Sequence, residues 1–363
     1  MADEVTPKPV TLEFKPDFEE AKKHWQAFWA RQIINRPCIV IRAPKDGAKK
    51  VPAPVYMEGR DGNFDAPMAR LLEWAATIYW GGDAIPNYTP SFGPDQFSAF
   101  LGAELMWSKE SMGTSWAIPF VNNWDKVLPF QLKPENKWWK RMLAFVRKLA
   151  AATEGKMVLS HLDLHSNMDC LSAIRGPQRI LMDLMDIPET IDRAVQSVRQ
   201  FYQPIYDAIF EAGDMARRGS LGWIAAYHAG KTNTIQCDFI CMISPPMFRR
   251  YVLPALEEET NYLEHSVYHY DGPGALVHLD DILALKRLDA IQWVPGAGNK
   301  PLIEWMDLLK KIQAAGKSLH IYCSPAEVKI AHKQLRPEAV FYDCGAKTEQ
   351  EARETVEWLR NNT

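Results

Sequence analysis

The stretch from Val267 to Gly298 constrains the fold more than any other part of the sequence. It begins with an apolar and aromatic run, 267–270, which is typical of a buried strand. The next four residues, Asp-Gly-Pro-Gly, end this strand because glycine and proline do not fit inside a regular element. A helical pattern of leucines follows, and then a second apolar run, 290–294, ends at another glycine loop. Strand, glycine loop, helix and strand form one βαβ unit.

Strand candidates alternate with helices along the whole chain, which predicts a parallel sheet. The strand candidates lie at 38–41, 84–88, 157–162, 220–226, 266–270, 290–294, 318–322 and 339–342, and the helical patterns between them include 17–34, 66–80 and 188–212. No G-x-G-x-x-G run follows the first strand, which disfavours a dinucleotide-binding sheet. We therefore predict an α/β fold in which residues 1–363 form a single (β/α)₈ TIM-type barrel domain. An N-terminal helical extension (1–36) and an aromatic-rich insertion (about 89–130) over one mouth complete it.

Composition and charge exclude several classes of protein. Of the 363 residues, 47% are hydrophobic and 24% are charged, which is ordinary for a globular protein. A net charge of -3 without a lysine–arginine stripe argues against nucleic-acid binding. No run approaches the roughly 20 apolar residues of a membrane span, and residues 1–10 lack a signal-peptide core. Six widely spaced cysteines argue against a disulfide scaffold, so we expect a cytoplasmic protein with reduced thiols.

Polar side chains are concentrated where the predicted strands run into loops, and a (β/α)₈ barrel builds its site from such side chains. His269 and Asp271 lie two residues apart, so both face one side as their strand ends. Imidazole and carboxylate both suit zinc, and the thiol of Cys344 at the end of the last strand is the third ligand that we expect. The alternative is a histidine hydrogen-bonded to the neighbouring carboxylate with no metal.

A second polar run, His161-Leu-Asp163-Leu-His165, places three polar side chains on one face of its strand. Such a set could supply an acid and a base or bind a polar substrate. Its alternative is a capped strand end with solvated histidines. The candidate catalytic residues are His161, Asp163, His165 and His228. The candidate substrate-binding residues, also at strand ends, are Asn87, Tyr270 and Trp293.

The run 237–254, CDFICMISPPMFRRYVLP, resembles the uroporphyrinogen decarboxylase superfamily, where an aspartate precedes an Ile-Ser-Pro-x-x-Phe motif and an apolar Leu-Pro pair. The His269 strand, the loop 294–296 and the Cys344-Gly345 loop resemble later parts of the same pattern. The likeness covers roughly residues 140 to 360. The resemblance implies a (β/α)₈ barrel that acts either as a tetrapyrrole decarboxylase or as a zinc-dependent methyltransferase. Barrels of this superfamily often pair, which implies a homodimer.

The resemblance is closer to the methyltransferase branch. The decarboxylases carry an Arg-Gln-Ala-Gly-Arg signature near the N-terminus, and residues 58–62 (EGRDG) are no substitute for it. Methyltransferases that serve corrinoid proteins carry His-x-Cys and a distant Cys-Gly. Here His269 matches the histidine and Cys344 matches the distant cysteine, but Asp271 stands where the first cysteine would be. A carboxylate in place of a thiolate makes the site harder and less electron-rich.

The resemblance therefore implies a methyltransferase-like enzyme with a small-molecule substrate. Zinc at His269, Asp271 and Cys344 would lower the pKa of a heteroatom and hold it for methyl transfer. A corrinoid protein or tetrahydrofolate would be the second partner, and the insertion near 89–130 would form its docking surface. Two alternatives stay open. One is a metal-free lyase, decarboxylase or hydrolase that uses the histidines and aspartates of the barrel mouth, and the other is a non-catalytic barrel that binds a small molecule.

Overall fold

The computed structural model describes residues 10–55, 57–108, 110 and 113–363. The helices within these ranges are α1 Phe18–Trp29, α2 Asp65–Ala76, α3 Gln96–Phe100, α4 Lys137–Ala152, α5 Asn167–Arg175, α6 Pro177–Asp186, α7 Pro188–Arg199, α8 Tyr202–Ala212, α9 Met215–Arg218, α10 Pro245–Tyr251, α11 Leu253–Tyr262, α12 Leu279–Leu283, α13 Met306–Ala314, α14 Pro325–His332 and α15 Glu349–Asn362. The strands are β1 Cys38–Pro44, β2 Ile78–Gly82, β3 Asn87–Tyr88, β4 Glu104–Trp107, β5 Ser115–Ile118, β6 Val158–Leu159, β7 Ser220–Leu221, β8 Tyr227–His228, β9 Thr232–Gln236, β10 His265–Asp271, β11 Ala290–Val294, β12 Ser318–Cys323 and β13 Val340–Gly345.

A seven-stranded sheet organises the molecule, in the order β2-β1-β13-β12-β11-β10-β9. Every neighbouring pair is parallel except β1 and β2. Shorter elements follow β2 along the chain: β3 pairs with β6 in parallel, and a parallel bridge joins Ser160 to Leu221. The backbone N–H of Thr232 in β9 donates to Ser220 Oγ in β7 at 3.2 Å. This arrangement confirms the α/β class and the parallel sheet, and it is consistent with a barrel-like fold.

Strand β2 was not predicted, because its residues fall at the end of the helical pattern 66–80. Helix α2 ends at Ala76, and the run Ile-Tyr-Trp-Gly-Gly pairs with β1 instead. β-branched and aromatic residues favour strands, and tertiary pairing overrides a weak helical pattern. Gly82 has φ +57, and a Cβ at this position would lie 2.5 Å from the Ile39 carbonyl oxygen. Only glycine therefore fits where the chain turns away from β1.

Strand β9 was also missed, because its sequence, Thr-Asn-Thr-Ile-Gln, has only one apolar residue and no hydrophobic pattern. All five of its residues are nevertheless buried. Several of their polar atoms find partners inside the protein, as when the Thr232 hydroxyl donates to the His265 carbonyl oxygen at 2.9 Å. Burial of polar groups is tolerated when such hydrogen bonds are made. A hydrophobic pattern alone cannot find a strand of this kind.

The N-terminal helix α1, which lies within the predicted helical pattern 17–34, packs its apolar stripe against the sheet. Its residues Phe18, Ala21, Trp25, Phe28 and Trp29 are all buried. The rings of Trp25 and Phe28 each lie 5.1 Å from the ring of Phe341 in β13, both edge-on. Aromatic pairs in this geometry add to the free energy gained by burying their area.

The predicted insertion contains helix α3 and an antiparallel hairpin formed by β4 and β5. Two hydrogen bonds fasten the hairpin to the loop that precedes α3. The backbone N–H of Ala117 donates to Asp95 Oδ2 at 2.8 Å, and the Ser115 hydroxyl donates to the Phe92 carbonyl oxygen at 2.7 Å. Residues 109, 111 and 112 of the insertion lie outside the described ranges. Across the described part of the chain, no helix has the length and apolar character needed to cross a bilayer.

A buried ion pair joins the segment after α1 to the segment after β2. Asp83 is 1% exposed, and both of its carboxylate oxygens accept from the Arg36 guanidinium, at 2.5 and 2.9 Å. Asp83 Oδ2 also accepts from the backbone N–H of Ile39 at 2.9 Å. Burial alone would raise the pKa of Asp83, but Arg36 and His24 outweigh it and hold this pKa well below its usual range.

We predict that Asp83→Asn lowers the free energy of unfolding by about 3–5 kcal/mol, because it leaves the Arg36 charge buried without its partner. The depressed pKa means that the wild-type ion pair stabilises the fold above the unfolded pKa of ~3.9 and that this stabilisation is lost as the pH falls below it. The variant should therefore lose stability less steeply in acid. Urea denaturation at several pH values measures both effects.

Asp65→Asn is the matched control, because the Asp65 carboxylate is 84% exposed and lies 3.4 Å from Lys148 Nζ. An exposed pair of this kind contributes at most about 1 kcal/mol. Equal losses in the two variants would contradict the role given to Asp83.

Candidate functional site

Three side chains that could ligate a metal ion converge at the carboxyl ends of β9 and β10. His269 and Asp271 end β10, and Asp238 opens a 3₁₀ turn, Asp238–Met242, that follows β9. One ligand atom from each residue lies within 4.8 Å of the others, and among the described residues this is the one such group of three. His269 and Asp271 are partly buried, and Asp238 is exposed. The sequence predicted the first two and missed Asp238.

The turn that carries Asp238 is held in place by a buried carboxylate. Asp169, on α5, accepts from the backbone N–H of Asp238 at 3.0 Å and from that of Phe239 at 2.9 Å. In the middle of the turn, His278 Nε2 donates to the Ile240 carbonyl oxygen at 3.0 Å. Backbone groups at the start and in the middle of the turn are therefore bound from neighbouring elements, which fixes where Asp238 stands relative to β10.

A hydrogen bond from the next strand sets the tautomer of His269. Its Nδ1 lies 2.5 Å from Gln292 Oε1 on β11. An amide oxygen only accepts, so Nδ1 carries the proton and donates. Nε2 of a neutral ring is then an acceptor, which is the form that binds a metal ion. Partners of this kind orient metal-binding histidines in general.

The surroundings of the two carboxyl groups disfavour their charged forms. Asp271 Oδ1 is buried, and no described residue donates a hydrogen bond to it. Burial raises the pKa of Asp271 despite the nearby His269, and Asp238 adds to the rise. Burial and the charge of Asp169 likewise raise the pKa of Asp238. A bound cation would satisfy the orphaned oxygen and favour the charged form of both groups, so the residues fit a divalent metal ion.

A cavity of ≈ 360 Å³ opens beside this group. Its walls are Thr89, Ser91, Asp163, His165, Trp223, Gln236, Asp238 and His269. The Trp223 ring stands edge-on to His269 at 5.0 Å, and the Trp223 indole N–H is buried with no acceptor among the described residues. Three larger surface grooves, of ≈ 460, ≈ 470 and ≈ 700 Å³, are lined by neither histidine nor cysteine. We therefore place the candidate site in the smaller cavity.

His165 brings a positive charge to the cavity wall. Its Nε2 lies 3.1 Å from Asp163 Oδ2, and its Nδ1 lies 3.6 Å from Asp169 Oδ2. Burial alone would lower the pKa of His165, but the two carboxylates, Asp163 foremost, raise it to about 10. The ring is therefore an imidazolium at neutral pH, suited to hold an anionic group of a ligand. Asp163 and His165, predicted as catalytic, both line the cavity.

His161 and His228, the other predicted catalytic residues, lie away from the cavity. His161 is fully buried and stacks on Tyr206 with ring centres 4.0 Å apart, and burial lowers its pKa to about 4. His228 lies 3.0 Å from Glu264, and its ring is 4.6 Å from that of His265, the first residue of β10. His228 is therefore at the opposite end of β10 from Asp271. Of the three histidines predicted to be catalytic, His165 is therefore the one that lines the cavity.

The structure places Cys344 apart from the ligand group. Its Sγ lies 3.8 Å from Cys323 Sγ, on the adjacent strand. The Cys344 thiol is buried, and its contact with Cys323 together with burial raises its pKa well above the usual range. Metal binding needs the thiolate, so this environment disfavours Cys344 as a ligand. Asp238 stands in the third position instead.

The predicted substrate-binding residues also lie outside the cavity wall. Trp293 and Tyr270 are fully buried, with their rings 5.4 Å apart, and the Tyr270 hydroxyl donates to the Ala275 carbonyl oxygen at 2.6 Å. Asn87 accepts from the Ser160 hydroxyl at 3.1 Å. Their neighbours on the same strands lie closer to the site: His269, next to Tyr270, lines the cavity, and Gln292, next to Trp293, is hydrogen-bonded to His269. Residues alternate between the two faces of a strand, so an offset of one residue separates Tyr270 from His269 and Trp293 from Gln292.

No protein-family model matches the chain, and no curated protein matches it. Among solved structures, the chain is similar to a methyltransferase from Methanosarcina mazei, with a TM-score of 0.59 and 11% sequence identity. The match covers 94% of this chain and 98% of that one. At this identity the likeness shows a shared fold, and it extends over almost the whole of both chains.

We predict that His165 stays protonated through neutral pH and loses its proton near pH 10, whereas His161 stays neutral down to about pH 4. Nuclear magnetic resonance of histidine-labelled protein follows both rings, with His165→Gln and His161→Gln as assignment controls. Because the pKa of His165 is raised, its protonated form stabilises the fold fully below the unfolded value of ~6.5. That contribution declines as the pH rises towards 10.

Asp163→Asn removes the charge that raises the pKa of His165 most and should lower that pKa towards its ordinary value. The His161 titration should not move in this variant. An unchanged His165 titration would mean that Asp163 does not hold the imidazolium.

Proposed function

We propose that the chain is a metal-dependent methyltransferase-like enzyme of the uroporphyrinogen decarboxylase superfamily, built on a closed (β/α)₈ barrel. The observation that carries the proposal is the convergence of Asp238, His269 and Asp271 beside a cavity of ligand size. The resemblance of residues 237–254 and the fold shared with a methyltransferase support the reaction class.

Asp238, Asp271 and Nε2 of His269 would hold the metal ion. One nitrogen and two carboxylate donors suit zinc, and they also accept harder divalent ions better than a thiolate-rich site would. A metal ion in this position supplies Lewis-acid chemistry, which lowers the pKa of a bound heteroatom. Gln292 keeps the His269 ring in the ligating tautomer, and Asp169 keeps the Asp238 turn against β10.

The cavity wall would orient the small-molecule substrate. The Trp223 ring offers a flat apolar surface and an unused N–H donor. The His165 imidazolium attracts an anionic group, and the hydroxyls of Thr89 and Ser91 line the same cavity. A corrinoid protein or tetrahydrofolate would exchange the methyl group with this substrate.

A second candidate function is a metal-free lyase or decarboxylase, which the His165 imidazolium and the raised pKa values of Asp238 and Asp271 favour. A substrate carboxylate would bind His165, and a protonated aspartic acid would act as the general acid. A chelator distinguishes the two candidates. Turnover that survives removal of all bound metal selects the lyase, whereas methyl transfer from free methylcobalamin to a thiol, lost with the metal, selects the methyltransferase.

We predict that the purified protein binds one equivalent of Zn²⁺ or Co²⁺ and that His269→Ala and Asp271→Asn abolish stoichiometric binding, because the first removes a ligand nitrogen and the second removes the negative charge of a ligand. Gln292→Leu should weaken binding by about 10–100-fold, as loss of a partner behind a metal-binding histidine commonly does. Isothermal titration calorimetry and elemental analysis after dialysis measure both effects.

His228→Ala is the matched control for these variants, because it removes an imidazole from the other end of β10. It should bind metal as the wild type does. Failure of the wild type to bind any divalent transition metal, or equal binding by His269→Ala, would overturn the metal site.

A further inference from the structure

Glu259 is a buried acid that the proposed function leaves without a role. It lies on α11 and is 4% exposed. Its Oε1 accepts from the hydroxyl of Ser166 at 2.5 Å, and Ser166 is itself 1% exposed. Carboxyl side chains are rarely buried to this extent unless a specific partner holds them. The contact with Ser166 therefore identifies the segment on which Glu259 acts.

That segment is a bend between two residues of the candidate site. His165 comes directly before Ser166, and Asp169 follows in the first turn of α5. Between them, Asn167 has φ +53, in the left-handed region, and its Nδ2 donates to the carbonyl oxygen of Gln236, the last residue of β9, at 3.3 Å. Backbone of this kind persists where the surrounding structure fixes it. Here α11 and β9 bind the bend from two sides.

Each end of the bend acts on a different part of the site. At one end, the His165 ring lines the cavity, with Nε2 3.1 Å from Asp163 Oδ2. At the other end, Asp169 accepts from the backbone N–H of Asp238 at 3.0 Å and so holds the turn that carries this candidate ligand. A displacement of Ser166 would therefore disturb the imidazolium and the ligand group together.

We propose that Glu259 is a positioning residue of the candidate site, which sets the places of His165 and Asp169 through its hydrogen bond with Ser166. The proposal deepens the proposed function and rests on its site. Glu259 does not line the cavity, so it acts through the bend and not on a bound molecule.

The same carboxyl group makes the bend sensitive to pH. Burial raises the pKa of Glu259 to about 8, although hydrogen bonds from Ser166 and Asn167 favour its charged form. Two further carboxyl groups add to the rise, and the two other titratable groups near Glu259 are neutral because burial raises their pKa values. These four groups are Asp169, Glu258, Tyr202 and Cys237. Glu259 is therefore mostly neutral at pH 7 and gains a charge behind the site near pH 8.

Two variants separate the hydrogen bond from the charge. Glu259→Leu fills the space but leaves Ser166 without its acceptor. It should lower the pKa of His165 from about 10 towards its ordinary value and weaken zinc binding by about 10–100-fold, as the loss of a partner behind a metal ligand does. Glu259→Gln still accepts from Ser166 and should keep the wild-type values at pH 7.

Nuclear magnetic resonance of histidine-labelled protein supplies a readout that general stability does not move. In the wild type, the ring signals of His165 should show a second inflection near pH 8, which Glu259→Gln should lose. Ser166→Ala should reproduce the effect of Glu259→Leu on the pKa of His165. It should also move the inflection to higher pH, because the Ser166 hydrogen bond favours the charged form of Glu259.

Glu258→Gln is the matched control, because the Glu258 side chain is 54% exposed and pairs with Arg199. It should keep the wild-type pKa of His165 and the wild-type zinc affinity. A wild-type His165 titration in folded Glu259→Leu and Ser166→Ala would overturn the positioning role. An inflection near pH 8 that survives in Glu259→Gln would overturn the pH dependence. Wild-type protein that binds no metal would remove the metal site of the proposed function, and the His165 titration would still decide the role of Glu259.

Discussion

The buried ion pair of Arg36 and Asp83 fixes which strand pairs with each edge of β1. Arg36 precedes β1 and Asp83 follows β2, so the pair joins the segments on either side of the antiparallel β1–β2 ladder. The Asp83 carboxylate also accepts from the backbone of Ile39, inside β1. Two charges are costly to bury, and bidentate geometry with every oxygen hydrogen-bonded is what offsets that cost. With β1 held this way, its other edge is free to pair with β13 in parallel.

The register of the parallel strands then brings the side chains of the candidate site together. His269 stands directly opposite Gln236 of β9 and Gln292 of β11. Residues directly opposite in adjacent strands face the same side of the sheet, so the imidazole is flanked by two amides. Gln292 binds His269, and the Gln236 amide lies against the His165 ring. A slip of one residue would turn all three side chains to the other face. The site is therefore a property of the strand pairing as much as of the loops.

Sequence reasoning found the elements whose patterns are apolar and missed those whose patterns are not. The strands that carry His269, Trp293 and Cys323 could be predicted because each contains an apolar run that leads to a glycine or proline loop. Strand β9 could not, since its buried threonines and amides carry no hydrophobic signal. Asp238 follows that strand, so missing β9 concealed the third candidate ligand, although the resemblance had singled out the same aspartate.

The same limit explains which site residues were misplaced. The sequence shows that His161, Asp163 and His165 alternate, but it does not show which residues face the cavity. His161 is enclosed by Tyr206 and the Leu162 carbonyl, whereas His165 meets two carboxylates. Likewise, the parallel pairing of Cys323 with Cys344 is set by register between distant segments. Spacing along the chain contains no information about such a partner.

The charged groups around the cavity, taken together, explain its arrangement better than any single residue does. Three carboxyl groups, from Asp163, Asp169 and Asp238, act on one imidazolium, that of His165, and a fourth, from Asp271, lies beside Asp238. Burial is the main cause of the raised pKa values of Asp169, Asp238 and Asp271, and a neighbouring carboxylate adds to the rise at Asp238 and at Asp271. Asp163 and Asp169 are engaged by His165 and by the backbone of the turn. The negative charge that remains without a partner is that of Asp238 and Asp271. Beside them lies Nε2 of His269, which carries no proton in the neutral ring because Nδ1 donates its proton to Gln292. A divalent cation at that point would satisfy the electrostatics and the orphaned oxygen together, which a substrate anion held by His165 would not.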